Sequence, residues 1–130
     1  MKGLDTNVLV RYLTQDDAAQ ARKATREIEG EDASESLFIA DVVMCELVWV
    51  LETAYGYGRA EILPVLERVL RTRQFAFEDK DLLWRAVDDY RSVKGDFADH
   101  LIGRVGKQTG CRETVTFDAG LKGSPLFRVL

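Results

Sequence analysis

Glu46 is the only charged or plainly polar residue between Val42 and Leu51. On a helix its neighbours three and four positions away are Val42, Val43, Trp49 and Val50. Such a carboxylate is expected to be desolvated or to open onto a pocket. Left unpaired in an apolar setting it would take up a proton, and a cation resolves the conflict. Asp5 follows a short apolar segment, and Asp118 follows the strand candidate Thr114 to Phe117, so both fall at strand ends. Asp96 and Asp99 lie three residues apart at the start of a helix and share a face. Taken singly, each acid has an ordinary reading. Asp5 and Asp118 can be turn or cap residues, Asp96 a helix cap, Asp99 a complement to the helix dipole, and Glu46 the partner of a buried arginine. Taken together they form an all-oxygen set with no histidine or cysteine assigned to it, which matches a hard cation, Mg²⁺ or Mn²⁺, better than zinc.

The elements that must carry these acids are legible in the spacing of apolar residues. Strands are expected at Lys2 to Leu4, Leu37 to Ile39, Phe75 to Phe77, Glu113 to Phe117 and Phe127 to Leu130. Between them lie helical patterns. Val8 to Leu13 is short, and Gln15 to Gly30 carries a face of Ala18, Ala21, Ala24 and Ile28. Val42 to Tyr55 follows Asp41 as its cap, and Arg59 to Arg71 contains Pro64 and should therefore start late or kink. Asp79 to Lys94 stops at Gly95, Asp96 to Thr109 closes at Gly110, and Asp118 to Gly120 reads as a turn. A polar loop precedes Leu37. Alternating short strands and helices imply an α/β fold with a mainly parallel sheet, whose ligand sites lie beyond the carboxyl ends of the strands.

The 130 residues suit one domain, 1–130, and 46% are hydrophobic, which excludes global disorder. Cys45 and Cys111 are too few for a disulfide scaffold and read as incidental thiols; His100 alone excludes paired-histidine zinc chemistry. No secretory signal is expected, because Asp5 interrupts any apolar leader. The longest apolar stretch falls well below the ~18 residues a membrane span needs. A reducing cytoplasm is the expected compartment. The net charge of −4 first argues against a nucleic-acid binder. Setting aside the five candidate ligands leaves 17 acids against 18 bases, so the acidity belongs to the candidate site rather than to the surface at large.

The motifs resemble those of a known family. Leu4-Asp5-Thr6-Asn7-Val8-Leu9 resembles the opening motif of PIN-domain ribonucleases, and Glu46 with Leu47 to Leu51 their second acidic motif. Asp96-Phe97-Ala98-Asp99 resembles the third and Val115-Thr116-Phe117-Asp118 the fourth. Their order and spacing over nearly the whole chain are similar to those of VapC toxins of bacterial toxin–antitoxin pairs.

The resemblance implies a PIN-domain fold, with a parallel central sheet of four or five strands flanked by helices. It implies an Mg²⁺- or Mn²⁺-dependent endoribonuclease that forms a homodimer and is inhibited by a neighbour-encoded antitoxin of the VapB kind. Asp5, Glu46, Asp99 and Asp118 match the catalytic quartet. Asp96 joins them as a metal ligand or serves only as a cap, and Thr6, Asn7 and Thr116 match supporting positions. Arg11, Arg104 and Lys107 are candidate RNA contacts, as are Arg22, Lys23, Arg26, Lys94 and Lys122. Trp49, Leu51 and Tyr55 are candidates for a groove that takes a partner helix, with ordinary core packing an equal or better reading of each. The rival reading is a PIN-like module that binds RNA or protein without cutting. A receiver-type phosphoacceptor lacks the expected early acidic pair, and an Asp-x-Asp phosphatase is excluded because position 7 is Asn.

Overall fold

Residues 1–30 and 35–130 are described by a computed structural model. The polar loop expected before Leu37 falls largely on residues 31–34, outside the described residues. The chain divides into two compact units, 1–78 and 79–130.

In the first unit, β1 (Lys2–Gly3), β2 (Leu37–Ile39) and β3 (Phe75–Phe77) form a parallel sheet in that order. Lys2 is in register with Leu37, and Leu37 with Phe75. Parallel neighbours require long crossovers. The first is made by α1 (Thr6–Thr14) and α2 (Ala18–Glu29), the second by α3 (Asp41–Thr53) and α4 (Arg59–Arg71). Asp5 starts α1 by accepting a hydrogen bond from the Thr6 amide, and Asp17 starts α2 by accepting one from the Gln20 amide. Leu9, Ile28, Ile39, Leu47, Leu51 and Leu66 are fully buried and form much of the core of this unit. Ala21, Ala24 and Ile28 face inward as their spacing requires, whereas Ala18, at the first turn of α2, is exposed.

Two local expectations are corrected here. Asp41 is the first residue of α3 rather than its cap; the cap position is Ala40, which has no polar side chain to offer. Asp41 instead places its charge at the positive end of the helix dipole, and its amide donates to Glu78 Oε1 at 3.0 Å. The α4 helix does not start late. It begins at Arg59 and includes Pro64. The hydrogen bond that Pro64 cannot make would have gone to Ala60, in the first turn, and the Pro64 side chain is exposed.

The second unit contains α5 (Lys80–Ser92), α6 (Phe97–Thr109), β4 (Thr114–Thr116), a 3-10 turn (Ala119–Gly123) and β5 (Phe127–Val129). Asp79 caps α5 through the Leu82 amide at 3.0 Å. Gly110 ends α6 at φ 108°, in the left-handed region that disfavours side chains. The β4 and β5 strands pair in parallel, with Thr114 opposite Phe127. Helix α5 buries Leu82, Leu83, Ala86, Val87 and Tyr90 on one stripe, as its spacing foretells. The Tyr90 ring meets Phe97 of α6 edge-on at 6.0 Å. A two-pronged ion pair, Arg104 Nε to Asp89 Oδ2 at 2.6 Å and Nη2 to Oδ1 at 2.8 Å, also ties α6 to α5. The expected parallel pairing is thus present within each unit among the described residues, in a three-stranded set in the first and a two-stranded set in the second, with α-helices beside both.

Candidate active site

Asp5 stands between β1 and α1, beyond the carboxyl end of the strand. Its Oδ1 accepts from the Thr6 amide at 2.9 Å. The Thr6 hydroxyl in turn donates to Glu46 Oε1, also at 2.9 Å. Thr6 is 6% exposed, so this hydroxyl is a fixed strut between the start of α1 and the middle of α3. Asp5 Oδ2 and Glu46 Oε2 have no hydrogen-bond partner among the described residues. Two carboxylates on neighbouring elements therefore each keep one unengaged oxygen.

Glu46 corrects the expectation of a desolvated acid, because it is exposed. The buried stripe of α3 is Val43, Met44, Leu47, Val48 and Leu51. Glu46 lies on the opposite side with Val42 and Trp49, each 64% exposed. The helix has apolar residues on both faces, so neighbours at three and four positions did not reveal which face is covered. The expected groove changes for the same reason. Leu51 is fully buried, and the Tyr55 hydroxyl belongs to a polar network, leaving Trp49 as the exposed member.

In the second unit, Asp96 occupies the N-cap position of α6, and its amide donates to Asp99 Oδ2 at 3.0 Å. Asp99 is half-buried and Asp96 exposed. Asp118 opens the 3-10 turn, with Oδ1 accepting from the Gly120 amide at 2.8 Å. Its own amide donates to Thr116 Oγ1 at 3.0 Å, so Thr116 supports the backbone of the acid. Beside Asp99, His100 is 1% exposed and packs near the Tyr90 ring, with neither ring nitrogen bonded among the described residues.

The five acids are thus grouped as Asp5 with Glu46, Asp96 with Asp99, and Asp118 on its own turn. Among the described residues, no three His, Cys, Asp or Glu side chains are gathered as ligands of one ion. Mg²⁺ takes only one or two protein carboxylates directly and keeps several waters. The Asp5 and Glu46 pair, exposed and with hard oxygens unengaged, fits that demand.

The expected RNA contacts divide. Arg11 is held by Asp16, by Gln20 Oε1 at 2.7 Å and by the Tyr55 hydroxyl at 2.9 Å. The same network keeps the Asp16 carboxyl at about 2, first through the Tyr55 hydroxyl and then through that of Thr14. Arg104 is fully engaged by Asp89, whereas Lys107 is exposed. Asn7 is exposed and lines a cavity of about 280 Å³ with Arg11 and Lys23. Nothing in the spacing signalled the Asp16–Tyr55–Arg11 network, which joins residues far apart in sequence. Burial first, and the negative charge of Asp41 second, push the half-buried Cys45 thiol up to about 11, which keeps it protonated and unreactive. Cys111 is exposed.

A family model described as PIN domain matches residues 3–123. A VapC ribonuclease from Aquifex aeolicus (strain VF5) is 34% identical over 125 residues, spanning 94% of this chain and 90% of that protein. No solved structure matches. No helix of the described residues is long and apolar enough to cross a membrane.

Proposed function

The chain belongs to the PIN-domain family, and from that premise we propose that it is an Mg²⁺- or Mn²⁺-dependent endoribonuclease, the toxic component of a toxin–antitoxin pair. The observation that carries this reading is the Asp5–Thr6–Glu46 arrangement, in which a buried hydroxyl holds one acid while both acids keep an oxygen unengaged. When bound, the metal supplies an acidified water and positive charge against the transition state of phosphodiester hydrolysis.

The protein's own groups do the positioning. Asp5 and Asp99 serve as the principal ligands. Glu46, fixed by Thr6, ligates or orients the attacking water. Asp118, held by the Gly120 amide and by Thr116, acts through water at the rim. Asp96 serves as a further ligand or only as the cap of α6. Asn7 lies one residue after Thr6, where it supports the site.

Residues 1–130 act in this reading as one domain, as a homodimer in the cytoplasm. The inhibitor is a neighbour-encoded antitoxin of the VapB kind. Val42 and Trp49 support that partnership, because a protein covering these exposed apolar side chains would also cover Glu46 between them.

The test is cleavage of end-labelled RNA by purified protein with Mn²⁺, with EDTA, and by an Asp5→Asn variant. Metal-dependent cleavage lost in the variant is expected. RNA binding with no cleavage under any metal would instead favour the non-catalytic module.

A further inference from the structure

The second unit contains a cavity of about 510 Å³ between the end of α5 and the 3-10 turn. Lys94, just after α5, and Lys122, in the turn, both line it, together with Gly120 and Gly123. None of the lining side chains is acidic. Both lysines are exposed, and neither forms an ion pair or hydrogen bond among the described residues. Other bases are engaged: Arg11 with Asp16, Arg104 with Asp89 and Arg128 with Glu113.

The cavity also adjoins one of the acids. Gly120, in its lining, donates its amide to Asp118 Oδ1. A side chain at position 120 would place its Cβ 3.0 Å from that oxygen and 3.6 Å from the Cβ of Lys94. The glycine therefore keeps open the space that separates the lysine from the acid. A second basic hollow, lined by Arg85, Arg104 and Lys107, has no such link to an acid, and its Arg104 is already engaged.

From this we infer that Lys94 and Lys122 form a binding site for a phosphodiester of the RNA strand, next to Asp118. The inference rests on the ribonuclease reading for the identity of the ligand. Lysine ammoniums bind phosphate as point charges and carry no sequence information. The site would therefore give affinity and position without selecting a base. It would also offset the repulsion that Asp118 exerts on an approaching strand.

The experiment uses a random-sequence single-stranded RNA pool and three proteins: wild type, Lys94→Ala/Lys122→Ala, and Lys94→Arg/Lys122→Arg. Cleavage with Mn²⁺ should show KM raised about tenfold in the alanine variant with kcat changed by less than about twofold, and the arginine variant near wild type. Binding in EDTA, followed by fluorescence anisotropy, should weaken likewise. The slope of log affinity against log salt should fall by about 1.4, as two lost phosphate contacts on a single strand require. An unchanged KM and salt slope would overturn the site, as would a fall in kcat alone. A wild-type protein that binds but does not cut, with binding weakened in the alanine variant, overturns the ribonuclease reading and leaves the site standing. A wild-type protein that neither cuts nor binds overturns both.

Discussion

Thr6 is the residue on which the geometry of the first acidic pair turns. Its amide holds Asp5 and its hydroxyl holds Glu46, both at 2.9 Å. Thr6→Val keeps the shape and removes only the hydroxyl. Metal affinity or activity should fall about 10–100-fold, the usual cost of losing a partner that orients a ligand. An Mn²⁺ titration of cleavage rate checks this, and a wild-type titration curve would refute it. The acids themselves should be changed to amides, not alanine. Asn at position 5 can still cap α1 and Asn at 99 can still accept from the Asp96 amide, so the fold survives while the charge is lost. Asp5→Asn and Asp99→Asn should each abolish cleavage with an unchanged circular dichroism spectrum.

A further residue-scale prediction concerns pH. Asp16 is held at about 2, below its ordinary 3.8, with the Tyr55 hydroxyl as the largest cause. Because the folded value is the lower one, the stabilising contribution is present above the unfolded value and is lost as pH falls through about 2. Tyr55→Phe should move the Asp16 carboxyl back towards 3.8, read by NMR titration of that side chain.

Among the elements, α6 shows how tightly a helix and a strand can constrain each other. A Cβ on Gly103 would lie 2.6 Å from the Phe127 ring of β5. Gly103→Ala must push β5 away or twist Phe127, at a cost of about 1–3 kcal/mol. Urea unfolding measures it, and a variant as stable as wild type would contradict the packing described. Helix α3 poses the opposite problem, since it has more apolar surface than its core contacts use. Val42 and Trp49 remain outside, flanking the exposed Glu46. Isolated exposed apolar side chains need no explanation, but two beside a candidate catalytic acid are where a protein inhibitor would gain most.

Across the whole molecule, the charge distribution matters more than its sum. The net charge is −4, yet the bases outnumber the acids once the five candidate ligands are set aside. Metal binding should then act on global stability, because an ion bound only by the folded state stabilises it by mass action. At Mn²⁺ about a hundredfold above its Kd the gain is about 2.7 kcal/mol. For a chain of this length that corresponds to a rise in Tm of about 10 °C. Calorimetry should show the rise in wild type and not in Asp5→Asn. A Tm indifferent to both ions in wild type would count against the site.

Local chemistry written along the chain was enough to place the elements, though not every cap and boundary. The strands Leu37–Ile39 and Phe75–Phe77 and the cap Gly110 lie where their residue types require them. Caps, turns and apolar periods act over a few residues, so a linear reading can find them. Four of the five acids could be picked out in the same way, by type and by place at or near element ends, and Glu46 by its apolar neighbours. Exposure could not, because it depends on which face of a helix meets a neighbour. Glu46 among valines reads as desolvated or open to a pocket and is exposed, while Trp49 and Leu51 each read as groove or core and only Leu51 is core. Nor could the partners of the bases be read. Arg104 and Lys94 are equally plausible RNA contacts on paper, but Asp89 lies fifteen residues from Arg104 and engages it fully, while Lys94 pairs with no acid among the described residues. Such pairings join distant parts of the chain, and only folding in three dimensions brings them within a hydrogen bond's length.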